Sequence, residues 1–227
     1  MMTTMMRQWC MSIALAAASG LVGVDARAKA EAPPPVVHAN VKQEAATEIE
    51  PDPEIAVLPK TGALRTNWVP PGMKERYGHA AVVIDAPIAA VRREVLSFSR
   101  YKDLAPGKFD TSQIVGKSGD SYDVFLQVPV LHGALKLWDV IRFAPPRTVV
   151  PGLEVIDGTF VRGNVQTMHI VWTLRAVTAK TTLLKCDLLL LPNFPAPDFL
   201  LDEVLRDAAG DAVDGFARRF KPTPSAP

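Results

Sequence analysis

The sequence has little of what several classes of protein need. Two cysteines, Cys10 and Cys186, cannot build a disulfide scaffold. With Lys+Arg 25 against Asp+Glu 24 the formal charge is only +1, which gives no bulk attraction to nucleic acid or anionic lipid. The basic residues are scattered rather than clustered, so no nucleic-acid partner is expected. No pair among His38, His79, His132 and His169 has metal-ligand spacing, and neither a metal nor a cofactor is expected. There is no G-x-S-x-G, and Gly116-Lys117-Ser118-Gly119 lacks the spacing of a phosphate loop. The catalytic inventory is therefore thin, and the chain leans away from being an enzyme.

What is present falls into segments. Trp9 to Val24 is an uncharged apolar run of about sixteen residues, short of the roughly 20 a membrane span wants. Arg7 precedes it, and the A-x-A patterns Ala26-Arg27-Ala28 and Ala28-Lys29-Ala30 follow. Residues 1–30 thus read as a cleaved signal peptide, and the mature protein as periplasmic or secreted. Cys10 lies at the start of that run rather than after it, which excludes a lipid anchor there. Cleavage leaves Cys186 alone, most simply as a small buried hydrophobe. Residues 31–72 combine prolines (Pro33 to Pro35, Pro51, Pro53, Pro59, Pro70, Pro71) with acids such as Glu44, Glu48 and Glu50. Weak periodicity makes them a disordered spacer. One domain is expected over 73–221, followed by a disordered tail at 222–227.

Within the domain the hydrophobic periods are clear. Tyr77–Ile84 reads as a strand. Pro87 then opens a short helix with Ile88, Val91, Val95 and Phe98 as its stripe, and a second helical turn covers Ser99–Leu104. Strand-like segments follow at Phe109–Val115, Tyr122–Val130, Ala134–Ala144, Val149–Ile156, Asn164–Ala176 and Thr181–Leu191, with Asp157-Gly158 read as a turn. Tyr122, Val124, Leu126 and Val128 share a face, as do Met168, Ile170, Trp172 and Leu174, and Leu184, Cys186, Leu188 and Leu190. The last element is a long amphipathic helix from Pro197 to Phe220. Its apolar half includes Leu201, Val204, Leu205, Ala208, Ala209, Ala212, Val213 and Phe216. Short turns between strands imply an antiparallel meander, and the fold class is α+β: a curved sheet of about seven strands wrapped on the C-terminal helix.

Over Tyr77 to Phe220 the chain resembles the START/polyketide-cyclase-like superfamily. This is the helix-grip fold that coenzyme-Q-binding START proteins share. The resemblance is carried by Val83-Ile84-Asp85-Ala86-Pro87-Ile88-Ala89-Ala90-Val91, by Ser97 through Leu104, by Trp172-Thr173-Leu174 with Thr181-Thr182-Leu183-Leu184, and by the prolines Pro192 to Pro197 before the last helix. It implies a hydrophobic ligand (lipid, quinone, sterol or polyketide) held between sheet and last helix; a minority of such proteins are enzymes. The usual members work inside the cell, whereas this chain reads as exported behind a Pro-rich spacer.

Candidate residues follow from the faces. A ligand cavity would be lined by Tyr122, Leu126, Leu137, Trp138, Met168, Trp172 and Leu188 from strands. The final helix would add Leu205, Ala209 and Ala212, whose small side chains leave either volume or close helix–sheet contact. Strand Ala134–Ala144 can face two ways: Leu135, Leu137, Asp139, Ile141 and Phe143 inward, or Lys136, Trp138, Val140 and Arg142 inward. In the first case Asp139 is a buried carboxylate, suited to a polar headgroup or to acid–base work. Three functions stay open: a carrier of a hydrophobic small molecule with transient membrane contact; a cyclase- or hydrolase-type enzyme using Asp139 or Tyr122; and a pocketless periplasmic interaction domain. The sequence leaves the oligomeric state open.

Overall fold

The computed structural model describes residues 52–105, 109–130 and 135–221. The expected signal peptide, most of the spacer, His38, His132 and the tail at 222–227 lie outside them. A 3-10 turn, Pro53–Val57, comes first, with Asp52 at its N-cap accepting the Glu54 N–H at 3.1 Å. There follow β1 (Leu64–Trp68), β2 (Tyr77–Ile84), α1 (Ile88–Val95) and a 3-10 turn at Phe98–Asp103. The sheet continues with β3 (Thr111–Ser118), β4 (Ser121–Val130), β5 (Leu135–Phe143), β6 (Arg147–Val150), β7 (Leu153–Gly163), β8 (Val165–Ala176) and β9 (Thr182–Pro192), and α2 (Asp198–Arg219) ends the chain. All pairings are antiparallel, in the order β1-β2-β9-β8-β7-β5-β4-β3, with β6 beside β7.

The sheet has nine strands rather than about seven, for two physical reasons. First, Leu64–Trp68 pairs with Tyr77–Ala81 as β1, so the spacer reading of residues 31–72 fails from Asp52 onward. Second, the segment expected as one strand over Val149–Ile156 is a hairpin. Its turn is Pro151-Gly152, where Gly152 adopts φ +78°, a conformation other residues resist. Asp157-Gly158 is no turn: it sits inside β7. Gly158 is required there by packing, because a Cβ would come within 2.7 Å of Ile170 Cγ2 and Phe143 Cε1.

One face of the sheet meets α2 and the α1 segment, and that face is the core. In β8 and β9 the expected inward sets are found, with Ile170 opposite Leu188 and Trp172 opposite Cys186. The C-terminal half of α2 is pinned by the 3-10 turn. Gly215 lies so close to Leu104 that a Cβ would sit 2.4 Å from its carbonyl oxygen, and Arg218 Nη2 donates to that same oxygen at 2.6 Å. The N-terminal half is held from the β1–β2 side. A Cβ on Gly78 would lie 2.2 Å from the Leu205 carbonyl, and Asn67 Nδ2 donates to Asp202 O at 2.9 Å. Arg65 reaches Asp211 at 3.0 Å and Asp214 at 2.8 Å, and Gly210 leaves the room its guanidinium occupies. The mid-helix glycine is thus a packing residue. Among the described residues no helix is long and apolar enough to cross a membrane.

Candidate functional site

The inner face has an aromatic end that is fully buried and an aliphatic end that is slightly less so. At the aromatic end, Phe98 stacks on Phe143 with centroids 4.5 Å apart. Trp172 meets Phe216 edge-on at 5.3 Å, and Tyr101 meets both Phe216 and Trp172. These rings are fully buried, and they leave no room at that level for a guest. Burial pushes the Tyr101 hydroxyl and the Cys186 thiol well above their ordinary pKa values. The acid Glu154 at this end is neutralised by Arg92 of α1 at 2.7 Å.

Toward the β4–β5 hairpin, the start of β8 and the end of β9 the core residues are aliphatic and slightly less completely buried: Leu126 3%, Leu188 7%, Leu137 9% and Met168 9%. The helix face above them is open on one side. Val204 and Ala208 share an azimuth with Gly215 at 100° per residue. Gly215 is capped by Leu104, whereas two to three turns earlier Val204 and Ala208 are exposed. Their place in the apolar half of the helix is therefore right in direction but not in burial. Nothing in the described structure covers this side of the helix.

Asp139 stands in the middle of this end. The strand faces inward by its first alternative, with Leu137, Asp139, Ile141 and Phe143 all buried. Asp139 lies opposite Leu126 on β4 and opposite Gly163 on β7. A Cβ on Gly163 would come within 3.0 Å of the Asp139 Cβ, so β7 sets no side chain over the carboxylate. Asp139 is only 4% exposed, and its Oδ1 has no hydrogen-bond partner among the described residues. Burial alone raises its carboxyl from 3.8 to about 7.

The expected lining residues divide accordingly. Leu126 and Leu137 neighbour Asp139 on the inner face, while Met168, Leu188, Leu205, Trp172, Ala209 and Ala212 belong to the same buried core farther along it. Trp138 does not line the interior. It lies on the opposite face of β5 and stacks on Phe125 with centroids 6.0 Å apart. Tyr122 is half-buried beside Phe98, opposite Phe143 rather than Asp139. It stands four residues from Leu126, about 13 Å along the strand, too far to act with Asp139. Ile170, Val204 and Ala208 were not among the expected residues; their signal was the alternation of β8 and the helical stripe itself.

The outer face carries an ionic clamp that sequence reasoning missed. His79 Nδ1 is 2.7 Å from Asp187 Oδ1 and its Nε2 is 3.2 Å from Glu54 Oε1. Lys185 Nζ bridges Asp52 and Glu54 at 2.8 Å each. Burial lowers the pKa of His79, but its hydrogen bonds to Asp187 and Glu54 prevail and bring it up to about 9. The hydrogen bond from His79 takes Glu54 down to about 2. Next to this clamp, the Tyr77 hydroxyl and His169 Nδ1 lie 2.9 Å apart, and His169 Nε2 is 3.1 Å from Asp157. Among the described residues no cluster of His, Cys, Asp and Glu is arranged to hold a metal ion. A surface cleft of about 290 Å³ opens between Val69, Leu191 and Leu201, and another of about 610 Å³ between Leu58, Val83 and Ala217; Asp139 lines neither.

A nine-stranded antiparallel sheet closed on a long C-terminal helix, with two short helical segments after β2, is a helix-grip α+β domain. It is the fold of START-domain structures. The chain superposes on the STAR-related lipid transfer protein from Xanthomonas axonopodis with TM-score 0.58 and 12% identity, covering 71% of this chain and 100% of that one. The START superfamily protein from Mycobacterium smegmatis gives TM-score 0.54 at 15% identity, covering 63% and 94% of the two chains. The lipid transfer and protein localization domain of human StarD13 gives 0.56 at 14%, covering 72% and 91%. No family model and no curated protein matches the chain.

Proposed function

We propose that this protein binds or carries a hydrophobic small molecule, such as a lipid, quinone or polyketide-like compound, between the inner face of the sheet and α2. The observation that carries the reading is a buried carboxylate, Asp139, whose Oδ1 has no partner among the described residues, set in an apolar part of the core. Two solved structures of the same fold are named for lipid transfer, which agrees with it. Removing about 300 Å² of apolar ligand surface from water contributes on the order of 7 kcal/mol, enough for micromolar binding before association costs. Asp139 would orient the guest. Phe194, Leu200, Val204 and Phe199, the last 73% exposed, give the start of α2 an apolar surface for transient membrane contact during loading.

We further propose that this activity is exported to the periplasm or the medium, on the signal-like pattern of residues 1–30; N-terminal sequencing of the mature protein tests that, and an intact Met1 rules out cleavage. A second reading is acid–base catalysis by Asp139, favoured by its carboxyl near 7. In that case Asp139→Asn abolishes turnover while the fold persists. The binding proposal is tested by native mass spectrometry of exported full-length protein followed by solvent extraction. A co-purifying hydrophobe is expected; an empty protein that also fails to take up lipid from vesicles refutes it.

A further inference from the structure

The geometry points to a ligand whose headgroup donates a hydrogen bond and carries no negative charge, received by Asp139. This rests on the proposed hydrophobe-binding role and adds the chemical class of the guest. What faces the carboxylate is apolar. Its cross-strand neighbour on β4 is Leu126, its neighbours on β5 toward the interior are Leu137 and Ile141, and on β7 Gly163 brings no side chain. The other inner-face acid, Glu154, has its charge balanced at the far end by Arg92 on Oε1, although its Oε2 is also without a partner among the described residues. No described cation approaches Asp139, and its Oδ1 accepts nothing from the described residues.

Above about pH 8, where the carboxyl is ionised, a guest with an anionic headgroup, a fatty acid or a phosphate, would set like charge against Asp139 with no described cation to compensate. Under the same conditions a guest with only acceptors, an ester, ether or oxidised quinone, would leave Oδ1 without a donor. A hydroxyl or ammonium group supplies the missing donor, and it does so in a site dry enough for the bond to discriminate. Hydroxyl and ammonium guests share this chemistry, and the test separates them.

The test uses full-length protein and a matched NBD-labelled dodecyl series ending in alcohol, amine, methyl ether or carboxylic acid, titrated by fluorescence above about pH 8, where the carboxyl is ionised. The alcohol or the amine is expected to bind roughly tenfold or more tighter than the ether and the acid. Whichever of the two binds tighter identifies the source of the donor. Asp139→Leu should level the series by weakening the donors, and Asp139→Asn, whose amide can donate, should raise affinity for the acid. Thermal unfolding of both variants verifies folding, and either variant alone suffices. Equal binding of all four probes to the wild-type protein overturns the headgroup inference and leaves the hydrophobe-binding role standing. Binding of none of them overturns both.

Discussion

Replacing Asp139 by Asn should stabilise the protein at neutral and alkaline pH. The carboxyl stands at 3.8 when unperturbed and at about 7 in the fold, with burial as the cause. Between those values the folded state binds more protons than the unfolded chain, so stability falls as pH rises through the window and levels off above it. Each pH unit is worth about 1.4 kcal/mol, so the ionised carboxylate costs the fold up to about 4 kcal/mol. Local relaxation of the fold around the charge would bring the realised cost nearer about 2 kcal/mol. The Asn variant carries no such proton. Urea unfolding of both proteins across a pH series isolates the effect, since other titrating groups cancel in the difference. At about pH 8 the variant should exceed the wild type by about 2–4 kcal/mol, and the gap should close toward about pH 4. A difference that does not change with pH, or a wild type that is the more stable at alkaline pH, would show that the carboxylate has a partner and would refute the reasoning.

Other expectations follow from the same contacts. Gly78→Ala places a methyl 2.2 Å from the Leu205 carbonyl, so α2 must lift from β2; a loss of about 3 kcal/mol or more is expected in chemical denaturation. Gly158→Ala forces a methyl against Phe143 and Ile170, and should cost about 1–3 kcal/mol in the same assay. The His79 pairing contributes fully below about 6.5 and is lost as pH rises through about 9, whereas that of Glu54 contributes above 4.5 and is lost as pH falls through about 2. Glu54→Gln should therefore weaken the clamp at neutral pH by about 1–2 kcal/mol and speed tryptic cutting at Lys60; an unchanged cutting rate would mean the clamp holds nothing. In a Cys10→Ser background, Cys186 should resist a thiol reagent until the protein unfolds, because burial holds it as the thiol.

Much of the fold is written in local periodicity. The alternation of β8 and β9 and the stripe of α2 specify their buried faces, because a strand or helix side that meets the core must be apolar along its whole length. What escaped was decided by partners distant in sequence. Leu64–Trp68 lies in a proline- and acid-rich stretch and becomes a strand only because β2 offers it an edge. Asp157-Gly158 has the composition of a turn, yet Gly158 is there to admit Phe143 and Ile170. For β5 both faces were open on pattern alone, and Trp138 was a plausible lining residue until the sheet turned Asp139 inward. The clamp of Asp52, Glu54, His79, Lys185 and Asp187 joins three segments, so no spacing rule could have assembled it. Val204 faces outward for a related reason: a helical stripe says which direction is apolar, and not whether anything fills it.

The most direct test of a guest on the inner face is to map where one sits. Full-length protein would be loaded with a diazirine-bearing fatty alcohol, irradiated, digested and sequenced by mass spectrometry. Adducts are expected on Leu126 and Leu137, which neighbour Asp139 on β4 and β5, and on Met168 in the same core. Adducts confined to the two surface clefts, around Leu191 or around Leu58, would contradict an interior site.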